Sequence, residues 1–297
     1  MHHVVTAADR RPAEPYPANA TGFRSARLVG REEGATHTAF SHCTLAPRGR
    51  IDTHVHSFEE IFYVTEGMPT LVLDGRGILL SPGTAGVIPV GQAHAWIGAE
   101  EENAVWLELQ TPIPRARTEP ADTFFLGAPE PRESAPADIR DPRTFNLFRA
   151  TDDDIDVDKL KVGARLDAPT VSSSMATALL AYSGIAVKML VDQRMGAAMG
   201  SMFLVDYQPG GVAHPHDHPL EEAYFILEGE VEAVADGQTY VLRQGDALWT
   251  GVGCIHAFYN RTGQRVRWLE TQAPLPPVRH SYRFSRDWDY LAGKLAR

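Results

Sequence analysis

The sequence predicts an all-β protein: two tandem β-barrels joined by a linker and closed by a short helical tail. Three observations carry this expectation. A block recurs at a constant offset, each copy reads as short strands between tight turns, and helical periods are scarce. "THVHSFEEIFYVTEG" at 53–67 returns as "PHDHPLEEAYFILEG" at 215–229, an offset of 162. The same offset carries Gly34 to Gly196, Asp74-Gly75 to Asp236-Gly237, His94 to His256, and "VWLELQTPIP" at 105–114 to "RWLETQAPLP" at 267–276. Self-similarity over roughly ninety ungapped positions marks a tandem duplication.

The elements follow in chain order. Residues 20–115 form the first barrel and 182–277 the second. In each, "LVLDGRGILL" or "AVADGQTYVL" sets Asp-Gly between alternating apolar positions, a hairpin signal because Gly accepts the positive φ of a tight turn. "LSPGTAGVIPVGQ" and "LRQGDALWTGVGC" are Gly-rich turns around a short apolar strand. Many short, evenly spaced strands read as a sandwich or barrel. The stretch 116–181 is the linker: its Pro-rich, acidic start wraps a surface, and "DDDIDVDKLKVGA" reads as one short helix with acidic residues at its N-terminal end. "SRDWDYLAGKLAR", within 278–297, reads as the closing helix.

Composition narrows the function. A chain of 297 residues with 43% hydrophobic and 22% charged residues can build real cores and reads as soluble. A formal charge of -10 argues against nucleic-acid binding, which needs a basic face. "MHHVVTAADRRPAEP" has no signal-peptide core, and "MATALLAYSGIAVKMLV" is too broken to span a membrane. Two cysteines make no disulfide framework, so a reducing cytoplasm is expected.

Side chains at i and i+2 of a strand share a face, so His54 pairs with His56 and His216 with His218. A turn follows, then Glu60 or Glu222 enters the adjoining strand; His94 or His256 arrives later from another. Three imidazoles and a carboxylate in each barrel suit a divalent metal with nitrogen and oxygen donors. An octahedral ion would keep open positions for chemistry.

At these residues the chain resembles the cupin superfamily. The family's first motif, G-x5-H-x-H-x3-E-x6-G, is met from Gly210 through His216, His218 and Glu222 to Gly229. Its second, G-x5-P-x-G-x2-H-x3-N, fits Gly245, Gly253, His256 and Asn260, with Gly251 where proline is usual. In the first copy Gly49 lies one residue too close to His54, and Gly98 replaces the asparagine. The resemblance implies a bicupin: two jelly-roll barrels, each holding a divalent transition metal. Iron(II) is the favoured ion, with manganese, nickel or zinc as alternatives.

Other residues carry two readings each. His214, whose counterpart is Asp52, either supports the ligands from behind or lies bland at the rim. Glu59 and Glu221 face away from the ligands, as solvated or interface charges. Cys43 and Cys254 read as small buried hydrophobes, with a pocket role open for Cys254. Trp106, Glu108 and Gln110, like Trp268, Glu270 and Gln272, alternate on one face and either line the barrel opposite the metal or form a polar outer face. Tyr224, where the first copy has Phe62, adds a hydroxyl. Tyr224, Glu270 and Gln272 are therefore the candidate catalytic set, and the second barrel is expected to carry the chemistry.

Family membership does not name a reaction. The expected activity is that of a dioxygenase-type oxygenase acting on a small polar or anionic molecule. The first alternative is a metal-assisted hydrolase or lyase, similar to ureidoglycine aminohydrolase or to bicupin oxalate decarboxylases. The former differs in its ligand pattern, and the latter are longer. The second alternative is a non-catalytic small-molecule binder. No nucleic-acid or membrane partner is expected, and a homo-oligomer stays open.

Overall fold

A computed structural model describes residues 1–115, 121–131, 133–138, 141–156, 170–171, 177–180, 184–275 and 283–284. Among the described residues, an eleven-stranded sheet curls into the first barrel, and an eight-stranded and a five-stranded sheet form the second. No helix among them is long and apolar enough to cross a membrane.

The repeat is reproduced residue for residue in the strand register. Glu60 opposes Gln110 and Phe62 opposes Glu108 in the first barrel; Glu222 opposes Gln272 and Tyr224 opposes Glu270 in the second. His54 pairs with His94, and His216 with His256. Both hairpin turns use the expected backbone: Asp74 and Gly75 have φ of 50° and 78°, Asp236 and Gly237 of 46° and 81°. Two consecutive positive φ values match the right-handed twist of the flanking strands.

Each barrel has an interior core, one around Phe62, Trp96 and Trp106 and one around Tyr224, Phe258 and Trp268. A third core lies between the barrels, where Ile61, Tyr63 and Leu109 meet Leu204, Phe225 and Leu269. The strand Glu59–Glu66 is therefore buried on both faces. Glu60, Phe62 and Val64 point into the barrel, and Ile61 and Tyr63 point at the other barrel. Close approach is needed where the barrels touch: a Cβ on Gly200 would meet Leu109, Thr111 and Ile61 side chains at 3.0–3.2 Å.

This arrangement corrects the solvated reading of Glu59 and Glu221. Both are only 2% exposed, and each clasps a turn of the opposite barrel. The Glu59 carboxylate accepts from the backbone N–H groups of Ala198, Met199 and Gly200 at 2.7, 3.2 and 3.1 Å. Glu221 accepts from Thr36, His37 and Thr38 N–H at 2.7, 3.1 and 2.9 Å, and from the Thr36 hydroxyl. The offset of the duplication relates Thr36 to Ala198 and Thr38 to Gly200, so the two clasps are related by pseudo-symmetry.

The linker is strand-forming rather than a plain wrap. Thr123–Gly127, Ser134–Pro136 and Leu147–Arg149 each add to the first barrel's sheet. The helix expected from residue 152 appears as a single 3-10 turn, Asp152–Asp154, in which the Asp154 carboxylate accepts from Thr151. Three adjacent aspartates favour such a capped turn over helix propagation. The rest of that segment, and the expected closing helix over 285–297, lie outside the described residues. The strand His2–Val5, which the sequence did not signal, pairs with Ala247–Thr250 of the second barrel.

Candidate metal centres

In the first barrel the donor atoms of His54, His56, Glu60 and His94 lie within 4.8 Å of one another, all buried. The backbone sets each ring. Nδ1 of His54, His56 and His94 donates to the carbonyls of Asp52, Phe58 and Gln92 at 2.7, 2.6 and 3.0 Å. A carbonyl only accepts, so Nδ1 of each ring carries a proton and Nε2 is the atom turned to the centre. Burial, reinforced by His94, pushes the His54 imidazole down to about 3, which keeps it neutral. Burial opposes ionisation of Glu60, but the His56 and His94 nitrogens at 3.2 and 3.5 Å outweigh it and hold the carboxyl well below its ordinary range.

These residues fit a divalent cation. Glu60 Oε1 and His94 Nε2 are buried and have no hydrogen-bond partner. Orphaned lone pairs facing one another are costly unless a cation joins them.

The second centre differs. The His216, His218 and His256 donor atoms converge within the same distance, and Nδ1 of His216 and His256 donates to the His214 and Cys254 carbonyls. Glu222 approaches His218 and His256 at 3.1 and 3.3 Å. It is also engaged by its neighbours. The Tyr224 hydroxyl donates to Glu222 and lies 3.0 Å from His256 Nε2, and the Gln272 amide donates to Glu222 at 2.7 Å. Tyr224 and Gln272 therefore gather at the centre as a set. Glu270 stands beside them, accepting from the Trp268 indole at 3.1 Å, its carboxyl pushed up to about 8 by burial and by Glu222.

The outer-face reading of Trp106, Glu108 and Gln110 is overturned, because all three are buried inside the first barrel. Glu108 accepts from the Trp106 indole at 3.1 Å and from the Gln110 amide at 2.6 Å. Burial and the nearby Glu60 charge push its carboxyl up to about 7. Arg27 donates to the Gln110 carbonyl at 3.0 Å. Arg27, Glu108 and Gln110 line a cavity of about 230 Å³ together with His54, Glu60, Ser25 and Tyr16.

Arg27, Ser25 and Tyr16 were not anticipated. Phe23, Ser25 and Arg27 alternate along one face of the strand Ala20–Val29, and that period of two was the available signal. The duplication sharpens it. Ser25 pairs with Cys43 and Arg27 with Ser41, as Val187 pairs with Val205 and Met189 with Phe203. The second barrel thus has valine and methionine where the first has serine and arginine.

Two β-barrels in one chain, each gathering histidines and a glutamate at its centre, define a two-centre metal-binding protein. The cupin domain model matches residues 41–109 and 203–271. The chain is a bicupin, a member of the cupin superfamily. Oxalate decarboxylase from Bacillus subtilis superimposes with a TM-score of 0.64 at 16% identity, covering 99% of this chain and 82% of that one. The formate complex of Lactobacillus farciminis oxalate decarboxylase gives 0.64 at 14%, covering 99% and 93%. At such identities the likeness shows the fold alone. Among curated proteins, polyketide synthase CurC of Streptomyces cyaneus is 31% identical over 90 residues, 30% of this chain. The match spans 58% of that relative.

Proposed function

We propose that the chain is a metal-dependent lyase that removes carboxylate from a small, planar organic acid in the first barrel. The observation that carries this reading is the polar wall of the first cavity, where Arg27, Gln110 and Glu108 face His54 and Glu60. Arg27 supplies a guanidinium for a substrate carboxylate. Tyr16, Phe23, Phe58 and Trp96 form aromatic walls that suit a flat enolic or aromatic acid and exclude water.

His54, His56, Glu60 and His94 would hold the metal, and a bound divalent ion supplies a Lewis acid that draws charge from a substrate oxygen. The remaining work falls to the chain's own groups. Arg27 fixes the acid, and Gln110, held between Arg27 and Glu108, keeps the Glu108 carboxyl turned to the pocket. With its carboxyl raised to about 7, Glu108 retains a proton near neutral pH. The carbon–carbon bond to the carboxylate breaks, carbon dioxide leaves, and the electron pair stays on the substrate carbon. The Glu108 proton then bonds to that carbon. The balance is one carboxylate and one proton in, one C–H product and one carbon dioxide out.

The oxalate decarboxylases that share the fold support this chemistry, and the Bacillus subtilis enzyme has Mn(II) centres. Manganese is accordingly the ion we would load first. The second reading is the oxygenase expected from the sequence. Three imidazoles with one carboxylate also suit iron(II). Placing the chemistry in the first barrel departs from the expectation for Tyr224, Glu270 and Gln272, which we assign to a second, supporting centre.

The test is a panel of oxalate, short keto acids and hydroxybenzoates offered to manganese- and iron-loaded protein, with carbon dioxide release and oxygen uptake recorded together. Release without uptake, lost in His94→Ala and Glu108→Gln but kept in His256→Ala, is expected. Stoichiometric oxygen uptake would favour the oxygenase, and activity lost only in His256→Ala would return the chemistry to the second barrel.

A further inference from the structure

We propose that His2, Asp236 and Cys254 form a third metal site, suited to zinc or a similar thiophilic divalent ion, that fastens the N-terminal strand to the second barrel. Their donor atoms lie within 4.8 Å of one another, a group distinct in membership from the ligand set of the second barrel. Imidazole, carboxylate and thiol together make a donor set that zinc accepts, with a fourth position left to solvent.

Three separate pieces of backbone bring these side chains together, and each is anchored. The strand His2–Val5 pairs in register with Ala247–Thr250, setting His2 opposite Thr250. Asp236 occupies the tight turn of the hairpin, where its N–H donates to the Ile255 carbonyl at 2.8 Å and its carboxylate accepts from Ile255 N–H at 3.3 Å. Cys254 lies in the turn before His256, its N–H donating to the Gly251 carbonyl at 3.0 Å.

The spacing suits a tetrahedral ion. His2 Nδ1 and the Asp236 carboxylate are 3.4 Å apart. Two ligands each about 2.0–2.1 Å from zinc subtend a tetrahedral edge of about 3.3 Å. The other ring nitrogen of His2 lies 2.7 Å from the Tyr240 hydroxyl, which orients the imidazole as an outer hydrogen bond orients a metal-ligating histidine. The Asp236 carboxylate also pairs with the Met1 amino group at 2.6 Å, a contact an ion would share or replace.

The duplication supplies an internal control. In the first barrel the same corner holds Asp74 and Gln92, and the Gln92 amide donates to Asp74 at 3.4 Å. A hydrogen bond there closes a corner that in the second barrel has a thiol in place of the amide and an imidazole delivered by a strand from outside the repeat. Exchange of that bridge for a soft thiol and a borderline imidazole, beside a carboxylate common to both barrels, gives the donors a metal clasp requires.

Cobalt(II) tests the proposal, because a thiolate ligand gives a near-ultraviolet charge-transfer band that histidine and carboxylate ligands do not. Tag-free full-length protein is stripped with chelator, reduced, and titrated with cobalt(II). The band is expected, and it should vanish in Cys254→Ser and in His2→Ala, each binding one equivalent fewer, while Cys43→Ser keeps it. Absence of the band, or its survival in both Cys254→Ser and His2→Ala, overturns the site. His2→Ala sits at a strand end, so the result stands even where the buried Cys254 variant folds poorly.

Discussion

Replacing Glu59 with alanine tests whether the two barrels are held as one folding unit. The substitution removes a carboxylate that accepts three backbone N–H bonds from the opposite barrel, at a position only 2% exposed. Each buried donor left unpaired costs about 1–3 kcal/mol. Part of that is returned, because burial raises the Glu59 carboxyl despite the three bonds, so removing the charge relieves desolvation. The expected net loss is about 2–4 kcal/mol, or about 3–6 °C in Tm for a single cooperative unit of this length. Equilibrium unfolding in urea, followed by tryptophan fluorescence and far-ultraviolet circular dichroism, measures it. Coincident transitions in the native chain that separate in Glu59→Ala would show that the clasp couples the barrels. Glu221→Ala should cost a similar amount, and the double variant should be close to additive because the two clasps share no partner. A loss below about 0.5 kcal/mol with unchanged cooperativity would refute the reasoning and assign the coupling to the apolar core alone.

Replacing His218 with alanine should remove one equivalent of metal while the first centre stays loaded, as metal analysis after gel filtration would show; loss of the first centre's ion as well would mean coupled centres. Tyr224→Phe removes a hydroxyl that engages both Glu222 and His256 Nε2, so the second centre should bind metal roughly tenfold more tightly in chelator competition; weaker binding would make that hydroxyl a support rather than a competitor. Arg27→Met copies the second barrel's residue and should raise KM for an anionic substrate about tenfold to a hundredfold with a smaller change in kcat. In the metal-free protein, His54 and His216 are both pushed down to about 3, first by burial. Their unfolded value is about 6.5, so the contribution to stability is present above that pH and lost as pH falls towards 3. Urea midpoints across this window should fall with pH, and a flat profile would contradict neutral, buried imidazoles.

What the sequence made legible was periodic. The offset fixed which residues correspond, and the i, i+2 rule fixed which histidines share a face, so the side chains that converge in each barrel were readable before any fold was known. The faces of Glu59 and Glu221 were harder, because a period of two says only that they point away from Glu60. Whether away means solvent or a second barrel depends on packing between domains, which local pattern does not encode. The run "EEIFYVTE" did contain a hint: the four consecutive apolar residues Ile61 to Val64 read as a strand covered on both faces, and the structure buries all of Glu59 to Val64. Arg27 and Tyr16 escaped because they precede the motif and reach the pocket only after the first strand folds back along residues 39–56.

Duplication explains why the two centres diverge at so few positions. Each barrel retains the backbone carbonyls that orient its histidines, since those contacts follow from the strand and turn geometry itself. The walls are under no such constraint. A strand position facing the cavity can change from valine to serine, or from methionine to arginine, without altering the register that places the ligands. The first barrel carries charge there, and its polar wall is satisfied by pairing the exposed Arg27 with Gln110 and Gln110 with the buried Glu108. In the second, Tyr224 and Gln272 satisfy Glu222 directly, which leaves a centre whose polar atoms already answer one another. A pocket with unpaired lone pairs and a guanidinium at its mouth can gain free energy from a ligand. One whose groups are mutually bonded must first give those bonds up. On the proposed reading, this asymmetry in hydrogen bonding, more than the ligand sets themselves, is what makes the first barrel the one that takes a ligand.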